Sequence, residues 1–251
     1  MQNYYETNHD PNIVYDEQVD AVSRYVAGVF GWMFFGLLIT AMATIGIIIG
    51  MFASPAFADL VLGLLSSPVI FIVLIGQMAL VGFLSARAVK MQTTTAVGMY
   101  LLYAATNGLT VGLISVLILQ WNMALLGTAF GITAASFGIM AAYGYVTKKD
   151  LTSMGSLLFM GLIGIILASV VNWFLGNAML DFIICVVGLF IFLGLVAYDT
   201  QKIKGFYRHA QSQGTDGARV AGNLAIVGAL MLYLDFINIF LFVVRLLGRR
   251  R

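Results

Sequence analysis

Two aspartates stand inside otherwise apolar stretches of this sequence, and their side chains are the ones best suited to chemistry. Asp199 lies in GLVAYDTQKIK and Asp235 lies in LYLDFINIFLFVVRLLG. An Asp at the centre of a membrane-spanning helix costs about 2.5–3.5 kcal/mol on insertion scales, so such residues usually face a bundle interior or a water-filled cavity. We therefore expect Asp235 to face inward, within reach of Asp199 at the inner end of the preceding helix.

Two neighbouring carboxyl groups in such a site would titrate as a unit. Desolvation and mutual repulsion disfavour the doubly ionised form, so the pair can hold a proton near neutral pH. When ionised, the pair offers hard oxygen ligands of the kind that Ca²⁺ prefers. The residues thus favour a proton-sensitive cation gate. Two simpler readings stay open: Asp199 pairs with Lys202 or Lys204 at a helix end, or Asp235 makes only a structural hydrogen bond.

The polar residues around Asp235 share one helical face. Spacings of three and four residues place six side chains on a single stripe: Gly228, Met231, Asp235, Asn238, Phe242 and Arg245. Because this stripe carries the strongly polar groups of the segment, it should face other helices or a pore. Asn238 and Arg245 are therefore candidate supporting residues.

The composition predicts a membrane protein and excludes several other classes. Hydrophobic residues make up 61% of the chain and charged residues 10%, against about 45–50% and about 25% in soluble domains. Cys185 is the single cysteine and lies in an apolar run, so no internal disulfide forms. The sequence carries no zinc, phosphate-loop or nucleic-acid motif. We expect no cofactor, no nucleic-acid partner and contact with the lipid bilayer.

Apolar runs long enough to span a bilayer as helices predict the fold. There are seven, at about 25–52, 68–88, 96–119, 121–146, 155–175, 179–200 and 222–247. The chain then divides into an acidic polar tail (1–24), one membrane domain (25–247) and a basic tail (248–251). Frequent glycine and alanine within the runs favour close helix packing in lipid. Asp150 is expected to cap the fifth helix.

The distribution of Lys and Arg predicts the orientation. Basic residues precede the first run and fill the loops after the second, fourth and sixth, which places the N-terminus in the cytoplasm. The sixth loop, QKIKGFYRHAQSQGTDGARVAG, is predicted to be long and mobile. The last run is basic on both flanks, so it either spans against the charge rule or dips into the membrane and returns.

Several stretches resemble one known family. YGYVTKKDLTSMGSLLFMGLIGIILASVVNWFL, AYDTQKIK and LYLDFINIF are similar to the Bax inhibitor (TMBIM) family, and the ending GRRR resembles its bacterial members. The resemblance implies an all-α membrane protein in which six helices surround a central C-terminal seventh. It also implies a spanning seventh helix and, from the bacterial members, location in the inner (plasma) membrane.

The resemblance further implies a function. Some family members conduct Ca²⁺ as a pH-sensitive leak, with an aspartate pair on helices six and seven as proton sensor and transient Ca²⁺ site. By motif match, this pair is Asp199 and Asp235. The family also uses a basic residue near the inner end of helix two as a latch, for which Arg87 is the first candidate and Lys90 the second.

Other functions compete with a channel. An intramembrane aspartyl protease is disfavoured because Tyr233 stands where its second motif needs glycine, so no enzyme is predicted. A proton-coupled transporter with the same aspartate pair stays open. So does a non-conducting regulator that binds other membrane proteins through the acidic tail or the sixth loop.

Overall fold

The computed structural model describes residues 11–119 and 123–249, and the side chains of 19–64, 67–112 and 124–249. Every regular element in these ranges is helical. The α-helices are α1 (Pro11–Ala53), α2 (Pro55–Ser66), α3 (Val69–Arg87), α4 (Thr93–Leu119), α5 (Met123–Val146), α6 (Thr152–Leu175), α7 (Ala178–Gln211) and α8 (Gly217–Gly248). Short 3₁₀ turns at Ala88–Lys90 and Gly214–Asp216 follow α3 and α7.

The long helices confirm the all-α membrane fold. Each predicted apolar run coincides with one of them, α1 or α3–α8. Six segments within the described residues are long and apolar enough to cross a membrane; they are Val19–Ala53, Val69–Lys90, Ala124–Val146, Thr152–Leu175, Ala178–Gln211 and Gly214–Gly248. The 27-residue α4 occupies the place of the third run.

Two local expectations were wrong. The stretch after the first run, read as a break, forms α2 because Pro55 sits at a helix start and the Ser54 hydroxyl accepts a hydrogen bond from the Phe57 amide. The sixth loop is not long, since its polar residues continue α7 and begin α8. Only 212–216 connect them, turning at Gly214 with φ of 59°.

The last helix is central, as predicted. In the apolar core of α8, 72% of residues are buried, against 11–33% in the other candidate spans. It packs directly on α1, α4, α5 and α7. The surrounding ring closes where Phe71 of α3 meets Trp173 of α6 and where Phe30 of α1 meets Phe137 of α5. Buried against neighbours, α8 can carry polar side chains that lipid would not tolerate.

A buried cluster of hydrogen-bonded side chains holds α8 against α1 and α4. The Tyr233 hydroxyl lies 2.6 Å from the Thr40 hydroxyl and accepts a hydrogen bond of 2.8 Å from the Asn107 amide. Edge-on ring contacts with Tyr100 and Tyr103 surround it. Since Tyr233 lies two residues before Asp235, this cluster also fixes the rotation of α8 about its own axis at the aspartate.

The far end of α8 is fixed to the start of α7. Arg245 and Arg249 both form ion pairs with Asp181, and Arg249 also donates a hydrogen bond to the Ala178 carbonyl. Helices α7 and α8 therefore run antiparallel along their length, joined at one end by the turn at 212–216 and at the other by these ion pairs. This geometry excludes the re-entrant alternative for the last segment, whose 32 residues form one continuous helix.

Candidate functional site

One large cavity separates α8 from α6, with walls from α7 and Met78 of α3. Its volume is about 1080 Å³. The α8 side of the wall consists of Met231, Leu234, Asp235, Asn238, Phe242 and Arg245. The predicted stripe therefore faces this cavity, except for Gly228. A Cβ at Gly228 would lie only 3.0–3.2 Å from Ile203 and Val29, so this position serves close helix packing instead.

Both predicted aspartates lie on the wall of the cavity. Asp199 is 7% exposed and Asp235 is 4% exposed. In the described part of the chain neither forms an ion pair, and Asp235 Oδ2 is buried without a hydrogen-bond partner. A carboxyl oxygen left unpaired inside a bundle is costly unless the group is protonated or meets a ligand. The structure brings these residues to one site from adjacent helices.

The two lysines near Asp199 do not neutralise it directly. The Lys204 ammonium donates a 2.6 Å hydrogen bond to the Tyr145 carbonyl at the end of α5. Lys202 lies on the cavity wall, with its ammonium 5.7 Å from the centre of the Tyr198 ring. The simpler reading of Asp199 as a lysine-paired surface residue therefore has no ion pair to support it.

Close backbone contacts hold α7 where Asp199 enters the cavity. A Cβ at Gly144 of α5 would lie 2.7 Å from Ala197 Cα, and one at Gly155 of α6 would meet the Tyr198 ring. Glycine lets both helices approach α7 closely. Gln201 adds a clamp, since its side chain accepts from the Leu151 amide and donates to the Lys149 carbonyl.

Asp150, expected to cap this helix, lies one residue before the N-cap position of α6, which is Leu151 and has no side-chain cap bond. Asp150 Oδ1 accepts hydrogen bonds from the Thr152 amide at 2.9 Å and from its hydroxyl at 2.6 Å. These bonds hold the pKa of Asp150 below its ordinary value. The bonds of Asp150 to Thr152 and of Gln201 to Leu151 together fix the start of α6, which forms one end of the cavity.

The candidate latch residues lie away from the cavity. Arg87 at the end of α3 sits over the Phe83 ring at 5.7 Å, and Lys90 lies in the following 3₁₀ turn. The backbone of this turn is held by α8 instead. Asn223 donates to the carbonyls of Ala88 and Met91, and Arg219 donates to those of Val89 and Met91.

Sequence reasoning missed Asn223 and Tyr198 as parts of the site or its frame, and it named Lys202 only as a possible ion-pair partner of Asp199. Asn223 is fully buried, with an exposure of 0%. An Asn inside the apolar pattern ARVAGNLAIVGAL was a usable signal, because a buried amide needs partners. Lys202 and Tyr198 belong to the quoted AYDTQKIK motif, but their position on the wall follows only from how α7 packs.

The cavity is long enough to extend through most of the thickness of a bilayer. Its α6 wall runs from Thr152 to Val170, a rise of about 27 Å at 1.5 Å per residue, against a hydrocarbon core of about 30 Å. Arg245 lies at the end remote from Thr152, where it also pairs with Asp181. The carboxyl group of Asp199 therefore lies toward the Thr152 end of the cavity, where Gly155 meets Tyr198, and the ion pair lies at the opposite end.

The donor set suits a passing cation better than a resident metal. The Asn238 amide nitrogen donates to the Leu234 carbonyl at 2.8 Å, so its oxygen remains an acceptor beside Asp235. Among the described side chains, no group of three or more His, Cys, Asp or Glu residues could hold a metal ion. Ca²⁺ takes six to eight oxygen ligands. Two carboxylates and one amide oxygen supply only some of them, so water would supply most of the rest.

Fold and site together define a multi-pass helical membrane protein with a central helix and a carboxylate-lined cavity beside it. Residues 22–251 match the family model described as inhibitor of apoptosis-promoting Bax1, and the chain belongs to this family. It is 40% identical to inner membrane protein YbhL of Escherichia coli K12 over 92% of this chain and 93% of that protein. A protein of Rickettsia prowazekii is 38% identical over 98% of this chain and 96% of its own length.

Proposed function

We propose that the protein is a pH-sensitive cation leak channel that conducts Ca²⁺, with Asp199 and Asp235 as its proton-sensing gate. The observation that carries this proposal is the placement of both carboxyl groups on the wall of one cavity that extends along most of the bilayer thickness. Membership of the Bax inhibitor family supports it. The proposal includes no enzymatic activity and no cofactor, with Ca²⁺ only as the permeant ion.

Protonation controls conduction in this scheme through charge and repulsion. When ionised, the two carboxylates attract a divalent cation and repel each other, which favours a hydrated, open path between α6 and α8. One shared proton removes part of the repulsion and allows a strong hydrogen bond between the two groups. Flux should therefore fall as the pH is lowered through the titration of the pair.

Ca²⁺ flux into proteoliposomes that contain only this protein tests the proposal. Wild type should conduct with a flux that rises between about pH 6 and 8. Asp235→Asn should show low flux with little pH response, since an amide neither ionises nor attracts the cation. Asp199→Asn should act in the same direction, less completely, because Lys202 already lies near that position.

Asp59→Asn is the matched control, because it removes an exposed carboxylate on α2 remote from the cavity. Its flux should follow wild type. An Asp235→Asn protein that keeps the wild-type curve would show that the pair is not the sensor. Uphill Ca²⁺ movement driven by a proton gradient would favour the transporter, and absence of flux from the pure protein would favour the regulator that needs membrane partners.

The same proposal includes an orientation and a location. The alternation of basic loops supports a cytoplasmic N-terminus, and the relative from Escherichia coli is an inner membrane protein. In this orientation the ion pairs of Asp181 lie on the outer side. A latch on the inner side would then act where α8 holds the turn after Arg87, because the Arg87 side chain does not line the cavity.

A further inference from the structure

A second, apolar crevice opens on the opposite side of α8 from the carboxylates. It lies between α1 and α5, has a volume of about 850 Å³, and we call it the α1–α5 crevice. Residues that line it include Val26, Phe30 and Leu37 on α1, Phe137 and Gly138 on α5, and Phe236 of α8 at its base. Along α1 it extends from Ser23 to Ala41, a rise of about 27 Å.

The crevice remains open because its α5 wall consists largely of small residues. Ala134, Gly138, Ala141 and Ala142 follow one another there at helical spacing. A Cβ built on Gly138 would meet nothing within 4 Å. An open apolar groove without atoms to fill it forfeits dispersion contacts on every wall. Within a bilayer, the molecule that supplies those contacts is an acyl chain.

The end of the crevice near the C-terminus of α5 is polar, and cations of α7 lie next to it. Tyr145 and Ser23 line it. The Lys204 ammonium lies 2.6 Å from the Tyr145 carbonyl and 5.3 Å from the centre of the Tyr145 ring. Arg208 lies one helical turn further along α7.

Nothing in the described part of the chain neutralises these cations. The ion pairs there involve Arg219, Arg245 and Arg249, not Lys204 or Arg208. On the same end of the bundle, the Tyr25 ring packs against Tyr207, and its hydroxyl is buried without a partner. The mouth of the crevice lies at the membrane interface, where lipid phosphates are found. An anionic group there would lie near both cations.

We propose that the α1–α5 crevice is a binding site for one anionic phospholipid. One acyl chain lies along α1 and α5 down to Phe236, and the phosphate lies at Lys204 and Arg208. Basic side chains at a bilayer surface attract anionic headgroups. The crevice is long enough to hold the acyl chain at one defined position, rather than in general contact with the protein surface.

Lipid binding at this site would affect the proposed gate because the two sites contain neighbouring residues of α8. Phe236, the base of the crevice, follows Asp235 directly in the chain and packs against Phe130 and Phe137 of α5. An occupied crevice therefore limits rotation of α8 at the carboxylate. This consequence for flux rests on the proposed function, whereas lipid binding itself does not.

Native mass spectrometry of the full chain, released from vesicles of phosphatidylcholine with phosphatidylglycerol, tests the site. Wild type should retain phosphatidylglycerol in preference to phosphatidylcholine. Gly138→Leu fills the crevice and should abolish retention of that lipid. Gly131→Leu is the matched control on the same helix, because a Cβ there also meets nothing within 4 Å and the residue does not line the crevice.

The headgroup is tested separately with Arg208→Gln, which should lower the preference for phosphatidylglycerol about fivefold. Lys148→Gln, an exposed cation outside the crevice, should leave it unchanged. If Gly138→Leu does not fold, Ala142→Leu fills the same space. Equal retention of both lipids by wild type, or retention unaffected by filling the crevice, would overturn the proposal. So would a dimer that only the crevice-filling variants lose, since a second copy would then cover this face.

Discussion

Replacing Gly144 with alanine should destabilise the bundle beside the carboxylates, although it adds only one methyl group. The new Cβ would lie 2.7 Å from Ala197 Cα and 2.8 Å from the Ala197 carbonyl carbon. Those atoms belong to the backbone of α7, so no side-chain rotation relieves the overlap. The two helices must separate by about 1 Å to restore ordinary contact distances, at a cost of about 1–3 kcal/mol.

The expected magnitude can be measured by thermal unfolding in detergent. For a chain of this size, 1 kcal/mol corresponds to about 2–4 °C in Tm, so Gly144→Ala should lower the apparent Tm by about 2–12 °C. Gly131→Ala on the same helix is the control, because its Cβ meets nothing within 4 Å. That variant should keep or slightly raise the Tm, since alanine favours the helix.

The substitution also has a functional readout, because Ala197 lies two residues before Asp199. Moving this part of α7 should shift the Asp199 carboxyl relative to Asp235 and change the pH response of Ca²⁺ flux, while Gly131→Ala should not. Equal Tm values for the two variants would refute the reasoning. They would show that α5 and α7 are not in close backbone contact at Gly144.

Three further substitutions test other parts of the frame. Tyr233→Phe removes a hydroxyl that joins two buried partners, so the free energy of unfolding should fall by about 1–3 kcal/mol in denaturant titration. Asp181→Asn should cost about 0.5–1 kcal/mol because its ion pairs with Arg245 and Arg249 are partly exposed, and the loss should not add fully to that of Arg249→Gln in a double-mutant cycle. Asp150→Asn should speed amide exchange at Thr152. Because hydrogen bonds to Thr152 lower the pKa of Asp150, wild-type protection there is present above the unfolded pKa and should be lost as pH falls through the lower folded value.

Periodicity carried most of what the sequence could predict. Apolar length located the long helices, and three- and four-residue spacing placed Asp235, Asn238 and Arg245 on one face, which lines the cavity. These are local properties of a single helix. The boundaries of α7 and α8 were less predictable, because polar residues after Asp199 read as a loop while they continue the helix beyond the apolar region.

The remaining features depend on contacts between distant parts of the chain. Asp181 lies in the first turn of α7, and its partners lie 64 and 68 residues away. Asn223 holds a turn more than 130 residues earlier through backbone carbonyls, which no residue type in that turn announces. Likewise, the aspartate pair follows from the motifs, whereas the extent of the cavity follows only from packing.

The ion pairs at the end of α8 have a consequence for biogenesis. Arginines lie at one end of this helix, and the basic stretch from Arg208 to Arg219 lies at its other end, so one cationic flank must be translocated whatever the orientation. A segment that violates the charge rule inserts poorly alone. Together with α7, across the short turn at 212–216, it can enter as a helical hairpin in which Asp181 receives the arginines. Asp181→Asn should then increase the fraction of newly made chains in which the last segment is left outside the membrane, detectable by protease accessibility of a C-terminal tag.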